Sequence, residues 1–328
     1  MEQKVLETIK KYKLIEDGDK IILGVSGGPD SISMLDILRK IQQEGDIKFE
    51  IIVAHINHMI REEAEEEEKY VKKYCEKHKI KFYAKKINII QIAKNNKIGT
   101  EECGRKARYD FFEEILQKNG ANKIGIAHNE NDKVETIIMN LLRGSGVTGL
   151  KGIEPKRENK YIRPLIECKR SEIEQYCEEN NLNPCIDKTN FENEYTRNKI
   201  RNIIIPYIKK EFNPNIIETI TRLSEIISEE NDYLEKITQE NYKKLLIVEQ
   251  KGKIELKLRN FNELDKVIKN RIILYTIKKL LGSTQGIERI HIKDIIKLCE
   301  KNIGNKYLTP NKKIKILIKD KKIFFIEQ

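Results

Sequence analysis

Ser26-Gly27-Gly28-Pro29-Asp30-Ser31 decides the reading of the first half of this 328-residue chain. The apolar run Ile21-Ile22-Leu23-Gly24-Val25 precedes it, and Ile32-Ser33-Met34-Leu35-Asp36-Ile37-Leu38 follows. The order is a strand, a glycine-rich turn and the start of a helix. Such a turn aims free backbone N–H groups at one point, at the positive end of a helix dipole, where phosphate oxygens can sit. Two glycines let the backbone approach the phosphates, and the serines add hydroxyl donors. Asp30 is out of place in a bare anion site; its carboxylate makes sense as the holder of a Mg²⁺ ion that bridges phosphates. The turn lacks the lysine of a Walker A loop and the G-x-G-x-x-G of a dinucleotide site.

Outward from this turn, apolar runs at 21–25, 51–55, 80–84 and 123–127 alternate with helical spacing. Leu35, Leu38 and Ile41 keep that spacing, as do Val71, Tyr74, Cys75 and His78, and then Ala107, Phe111 and Ile115. Strand–helix alternation predicts a parallel sheet covered on both faces, with ligands beyond the carboxyl ends of its strands. Ser26, His55 and Ala127-His128 all fall at such ends. A further helix is expected to be capped at Ser171, with Glu174 three residues on. Pro206 and Pro214 flank a boundary, after which Ile216, Ile220, Leu223, Ile227, Leu234 and Ile237 predict a long helix. A strand at 253–257, helices near 263–281 and 291–300, and strands at 314–318 and 322–326 complete the second half. The expected organisation is an α/β, parallel-sheet nucleotide-binding domain over 1–208 and a smaller, mainly helical domain over 209–328.

Net charge is +11, from 63 Lys and Arg against 52 Asp and Glu, which suggests a polyanionic partner. Residues 61–68 are acidic, whereas 151–170, 197–210 and 311–322 are basic. The six cysteines (Cys75, Cys103, Cys168, Cys177, Cys185 and Cys299) form no C-x-x-C pair, so reduced thiols are expected and a zinc or iron–sulfur site is not. No apolar run reaches membrane-spanning length, and Met1-Glu2-Gln3-Lys4 carries no apolar signal region. The expected location is the cytoplasm.

Four further segments carry candidate chemistry. Val53-Ala54-His55-Ile56-Asn57-His58 ends the second strand, with Arg61 following; two histidines and an arginine beside a nucleotide site lean toward function, and the strand-end backbone at Ala54 and His55 suits an adenine edge. Arg105, Arg108 and Phe112 share a helix face, which reads equally as a surface arginine pair. In Ala127-His128-Asn129-Glu130-Asn131-Asp132-Lys133-Val134-Glu135-Thr136, Asp132 and Glu135 place two carboxylates on one face at a helix start, where acids are also favoured for stability alone. Arg143-Gly144-Ser145-Gly146 and Gly149-Leu150 follow as a flexible loop. Finally, Asp187-Lys188-Thr189-Asn190 leads to Tyr195-Thr196-Arg197-Asn198-Lys199-Ile200-Arg201 and Pro206; Arg197 and Arg201, four apart, suit phosphate clamping.

The turn resembles the pyrophosphate loop of the ATP pyrophosphatase superfamily. The whole set, in order over roughly residues 20–206, resembles the tRNA(Ile)-lysidine synthase family: S-G-G-x-D-S, A-H-x-x-H followed by R, R-Y-x-F-F, D-x-x-E-T followed by R-G-S-G and G-L, and D-x-[ST]-N followed by Y-x-R-N-x-x-R-x-x-x-[IL]-P. Many members have two His and two Asp in the fourth-strand motif, with Gln after the second Asp. Here those positions read His128-Asn129, Asn131-Asp132 and Lys133. The resemblance also suggests that a last C-terminal domain found in many members is absent.

The resemblance implies ligation of L-lysine to C2 of the wobble cytidine in the CAU anticodon of tRNA(Ile), with ATP as co-substrate and an adenylated base as intermediate. Ser26, Gly27, Gly28, Pro29 and Ser31, with Ala54 and His55, would bind ATP, and Asp30 would carry Mg²⁺. Asp132 and Glu135 would attract the lysine ammonium, and one would accept its proton. Arg105, Arg108, Arg143, Arg197 and Arg201 would contact tRNA or the adenylate. Another pyrophosphate-loop base modifier, a thiolase, is the alternative, and a non-catalytic tRNA-binding protein is a third. A homodimer is the expected assembly, because the second domain is small and its helices have apolar faces to cover.

Overall fold

A computed structural model describes residues 1–45, 47–59, 64–185, 195–301 and 306–328. The chain divides into two compact units, Met1–Glu225 and Ile226–Gln328. Arg61 and Asp187-Lys188-Thr189-Asn190 lie outside the described residues.

The first unit begins with α1 (Glu2–Tyr12), β1 (Lys20–Gly24) and α2 (Pro29–Glu44). It continues with β2 (Glu50–Asn57), α3 (Ala64–Lys77), β3 (Lys81–Lys86), α4 (Ile89–Asn96), α5 (Thr100–Asn119) and β4 (Lys123–Gly125). Then come α6 (Glu130–Leu142), α7 (Val147–Leu150), β5 (Lys156–Arg157), β6 (Tyr161–Ile162) and α8 (Arg170–Glu179). The sheet order is β3-β2-β1-β4-β6-β5, parallel except for the last pair. The chain runs outward from β1 to β3 on one side and from β4 to β6 on the other. That reversal leaves a crevice at the carboxyl ends of β1 and β4, where ligands bind in open α/β sheets.

Period-two alternation puts β1 between two cores. Ile21 and Leu23 join Ile32, Leu35, Val53, Val71, Ile173 and Tyr176 on the face of α2, α3 and α8. Ile22 joins Ile52, Phe111, Phe112 and Ile115 on the face of α5. Buried on both faces, the strand reads as an apolar run. The four sequence-predicted strands match β1 to β4; β5 and β6, two residues each, complete the sheet. The cap expected at Ser171 is corrected: the N-cap of α8 lies two residues earlier, at Lys169, whose N–H donates to the Glu172 carboxylate at 2.6 Å. Ser171 sits inside the first turn.

Beyond the sheet lie α9 (Thr196–Lys199), a π-helical turn (Ile200–Ile204), α10 (Ile205–Glu211) and α11 (Ile216–Leu245). Pro206 has no N–H for the preceding turn, and the widened turn stands immediately before it. Val134 and Ile138 of α6 pack with Ile200, Ile205 and Ile217, seating this segment on α6.

The second unit carries β7 (Leu246–Gln250), β8 (Lys253–Lys257), α12 (Leu258–Asn262), α13 (Lys266–Leu281), α14 (Arg289–Lys301), β9 (Tyr307–Asn311), β10 (Ile314–Lys319) and β11 (Lys322–Glu327). Its antiparallel sheet has the order β7-β8-β11-β10-β9. Ile314, Ile316, Ile318, Ile323 and Phe325 alternate inward against Ile272, Ile273 and Ile277 of α13 and Ile295 of α14. No described helix is long and apolar enough to cross a membrane.

Candidate active site

The glycine-rich turn caps α2. Gly28 is the N-cap and Pro29 opens the first turn, where its missing N–H costs nothing. Gly27 has φ +98°, a conformation that side chains resist. The Ser31 hydroxyl closes the loop: it accepts from the N–H groups of Ser26 (3.1 Å) and Gly27 (3.2 Å) and donates to the Gly28 carbonyl (3.0 Å). The Cys185 N–H adds a bond to the Gly27 carbonyl at 3.0 Å. One strand back, a Cβ on Gly24 would lie 2.4 Å from the Phe112 ring, so the absence of a side chain lets α5 lie close against β1.

A cavity of about 1040 Å³ opens at the β1/β4 crevice. Ser26, Gly28, Pro29, Asp30, Ser31, Ala54, Arg108 and Arg201 all line it. So do Phe112, Ala127, His128 and Arg170, and Glu174 and Glu178, one turn apart on α8. Other residues singled out from the sequence stand off its wall. Gly27 is buried behind the loop. His55, 1% exposed, sits beneath it, with Nδ1 2.9 Å from the Val25 carbonyl. Arg105 lies over the Tyr109 ring, 5.2 Å from its centroid. Arg143 is an exposed C-cap of α6.

Asp30 and α6 are joined through one amide. Asn129 caps α6: its Oδ1 accepts from the Asp132 N–H at 3.0 Å, and Asp132 Oδ2 accepts from the Asn129 N–H at 3.1 Å. Its Nδ2 is left to donate to Asp30 Oδ1 at 2.8 Å. Burial, then the neighbouring Asp132 charge, pushes the Asp30 carboxyl up to about 6 against the pull of the Asn129 hydrogen bond, Arg170 and Arg201. A partly buried, partly bonded carboxylate held in this way suits a divalent cation that takes its other ligands from phosphates and water.

Asp132 and Glu135 share one face of α6, as their spacing predicts, and both are buried, 8% and 1% exposed. Three arginines cover them. Arg201 pairs with Glu135 through Nε (2.6 Å) and Nη2 (2.9 Å) and reaches Asp132 Oδ1 at 3.2 Å. Arg197 bonds Glu135 Oε2 at 2.8 Å and lies 3.1 Å from Asp132 Oδ1. Arg170 stands 3.6 Å from Asp132 and 3.7 Å from Glu135. Burial alone would lower the pKa of both Arg197 and Arg201; the carboxylates outweigh it and hold both above the usual value. The carboxylates therefore lie behind guanidinium groups, and of the three arginines Arg170 and Arg201 face the cavity.

A glycine-rich loop at a helix N-terminus thus stands beside a cluster of carboxylates and arginines. The PP-loop domain family matches residues 1–208. Among curated relatives, the tRNA(Ile)-lysidine synthase of Clostridium tetani is 44% identical over 98% of this chain and 69% of the relative. The chain belongs to the tRNA(Ile)-lysidine synthase family. The same-named proteins of Clostridioides difficile (47% identical) and Clostridium acetobutylicum (46%) align over 93% and 94% of this chain, each with 66% of its own length covered. The chain thus spans about two thirds of the length of these relatives. The U34-tRNA thiolase NcsA from Methanococcus maripaludis shares the fold, with a TM-score of 0.58 at 21% identity over 70% of this chain and 78% of that one.

Arg170, Asn129 and Arg163 belong to the site or touch it, and none was singled out for a role from the sequence, which had set His128 at a ligand-facing strand end. Asn129 carries a readable signal, an Asn three residues before an Asp at a helix start. Arg170 and Arg163 carry none; each arrives from a distant element.

Proposed function

We propose that this chain ligates L-lysine to C2 of the wobble cytidine in the CAU anticodon of tRNA(Ile), consuming ATP and releasing AMP and pyrophosphate. The observation that carries the reading is the joining of the Ser26–Ser31 loop to the Asp132–Glu135 cluster through Asn129, at one cavity. The names of the relatives support it. A cytoplasmic location goes with a tRNA substrate.

The cytosine carbonyl oxygen is a weak nucleophile and C2 a poor electrophile, so adenylation precedes lysine attack. Ser26 and the Gly28 N–H, at the start of α2, would receive the β- and γ-phosphates of the leaving group. Asp30 would hold Mg²⁺, which neutralises phosphate charge when bound. Arg108 and Arg201 face the same space and suit phosphate or adenylate oxygens. An anticodon base reaches the site already unstacked, at low cost.

The lysine ε-amine enters as a cation, since only about one part in a thousand of a side chain with pKa ~10.4 is neutral near pH 7.4. Asp132 and Glu135 attract it. Their oxygens are engaged by arginines, so capture requires a guanidinium to move. Arg201, bonded to Glu135, and Arg170 share the cavity wall, and either would turn toward phosphate. The second unit carries 23 Lys and Arg against 14 Asp and Glu, nearly all of the chain's net charge, and would supply most of the attraction for RNA. The exposed Leu223, Ile226 and Tyr233 of α11 are the apolar side chains that a homodimer would cover.

Transfer of labelled lysine to an unmodified CAU-anticodon isoleucine transcript, with ATP and Mg²⁺, tests the reading. Label on that transcript and none on the methionine transcript with the same anticodon is the expected result. Pyrophosphate release without label would overturn lysine as the nucleophile.

A further inference from the structure

His128 lines the cavity at the end of β4, and its ring is held from behind by a buried arginine. Arg163, 5% exposed, follows Ile162 at the end of β6. Gly125 pairs with Ile162 in the parallel ladder, and the Ile126 N–H donates to the Ile162 carbonyl at 3.0 Å. The two chains therefore leave the sheet side by side. Arg163 Nε donates to His128 Nδ1 at 3.1 Å, and its Nη1 donates to the Glu154 carbonyl. Among the described residues no carboxylate forms an ion pair with Arg163.

A guanidinium has donors only and stays protonated, so the imidazole nitrogen facing Arg163 must accept. A neutral imidazole that accepts at Nδ1 carries its proton on Nε2. We propose that Arg163 is a positioning residue that holds His128 neutral with its proton on Nε2, making His128 a hydrogen-bond donor to an anionic substrate oxygen in the cavity. The surroundings agree. Burial, and then Arg163 beneath the ring, Arg197 from α9, and Arg105 and Arg108 from α5, hold the ring well below its ordinary pKa. An arginine-lined chamber that receives a polyanion gains a donor that neither repels the neighbouring cations nor surrenders its proton to the attacking carbonyl oxygen.

The choice of oxygen rests on the adenylation reading. A non-bridging oxygen of the α-phosphate is the one atom group that gains charge during adenylation and stays on the leaving AMP during lysine attack. A donor fixed on it serves both steps. The established features of the loop do not require this. Asp30, Ser26 and Gly28 address the pyrophosphate side, whereas His128 stands at the end of the next strand.

The test is a ¹⁵N-histidine-labelled sample of the whole protein, with long-range proton–nitrogen correlation between pH 5 and 8. His128→Gln assigns the ring among five histidines. The wild type is expected to show a neutral ring protonated on Nε2 across that range, and Arg163→Gln, whose amide can donate or accept, a mixture of tautomers or a titrating ring. A wild-type ring protonated on Nδ1, or one that charges within the range, overturns the proposal without any variant having to fold. In the reaction, His128→Gln keeps an N–H near the Nε2 position and should retain most tRNA-dependent pyrophosphate release. His128→Leu should lose about 100-fold in rate with ATP affinity little changed. Equal rates for the two variants would overturn the donor role. If the wild type shows the expected tautomer but releases no pyrophosphate with any tRNA, the Arg163 assignment stands and the adenylation reading falls.

Discussion

Asn129 Nδ2 lies 2.8 Å from Asp30 Oδ1, so the residue that caps α6 also holds the carboxylate of the phosphate loop. One amide thereby ties the first turn of α2 to the first turn of α6. Asn129→Ala removes the cap, at about 1 kcal/mol, and frees Asp30. The half-saturating Mg²⁺ concentration for pyrophosphate release should rise roughly fivefold to tenfold. Asn129→Asp, which sets a like charge beside Asp30, should be worse in Mg²⁺-free buffer and partly rescued by Mg²⁺ in thermal unfolding. Identical Mg²⁺ titrations for all three proteins would remove Asn129 from the site.

Glu135 is 1% exposed and bonded by two arginines. Glu135→Leu leaves Arg197 and Arg201 short of partners and should cost about 3 kcal/mol in denaturant unfolding. Asp132→Asn is gentler, because an amide oxygen still accepts from the Asn129 N–H. Its expected signature is a raised lysine KM with ATP binding retained. Unchanged lysine kinetics would take the pair out of amine binding and leave it as a seat for arginines.

Asp36 gives the fold a pH dependence away from the site. Burial would raise its pKa, but hydrogen bonds from Tyr74, Tyr176 and Arg39 outweigh this and hold it at about 2, below the ordinary 3.8. A depressed carboxylate contributes stability that is present above 3.8 and is lost as pH falls from 3.8 through 2. Wild type should lose more stability than Asp36→Asn across that window, while at pH 7 the variant is the weaker protein. Parallel stability curves for the two would contradict the assignment.

Gly24→Ala places a Cβ against the Phe112 ring and should cost about 1–3 kcal/mol through overpacking. Because Phe112 also lines the cavity, ATP affinity should fall with it. The double variant Gly24→Ala, Phe112→Leu is expected to recover part of the lost stability, which a simple loss of helix–strand order would not do.

If the second unit attracts RNA, replacing the exposed Lys312 and Lys313 with Glu should lower tRNA affinity in low salt and flatten its salt dependence. ATP affinity should not change. A salt slope equal to that of wild type would direct attention to the basic segment 197–210.

The parallel sheet was legible because strands buried on both faces must be apolar and must alternate with helices; β1 to β4 show this. β5 and β6 were not, since two residues cannot display a period. The loop from Ser26 to Ser31 announced itself through residue types that suit a phosphate site, two glycines and two hydroxyls at a helix start. The Asp132–Glu135 face was equally readable from spacing. What covers that face was not: Arg197 and Arg201 are visible as a basic pair, yet nothing local says that they turn inward onto carboxylates. Arg163 and Arg170 are ordinary residues in the chain and matter only through the elements beside them. His55 shows the converse: a histidine at a strand end is plain in the sequence, but its place beneath the loop, against the Val25 carbonyl, is set by the fold.

The π-helical turn before Pro206 has a consequence for how this site tolerates change in length. A π turn holds one residue more than an α turn, and each residue of an α-helix rotates the chain by about 100°. Deleting Ile203 or Ile204 would let the segment relax into a regular helix that completes the same turn with one residue fewer. Relative to Pro206, Arg197 would then keep its facing toward Glu135, whereas the same loss from a regular α-helical turn would swing it by about 100°. The ion-pair cluster is thus buffered against a change in residue count: the widened turn can shed one isoleucine and leave Arg197 facing its carboxylates, where a regular helix would carry it away.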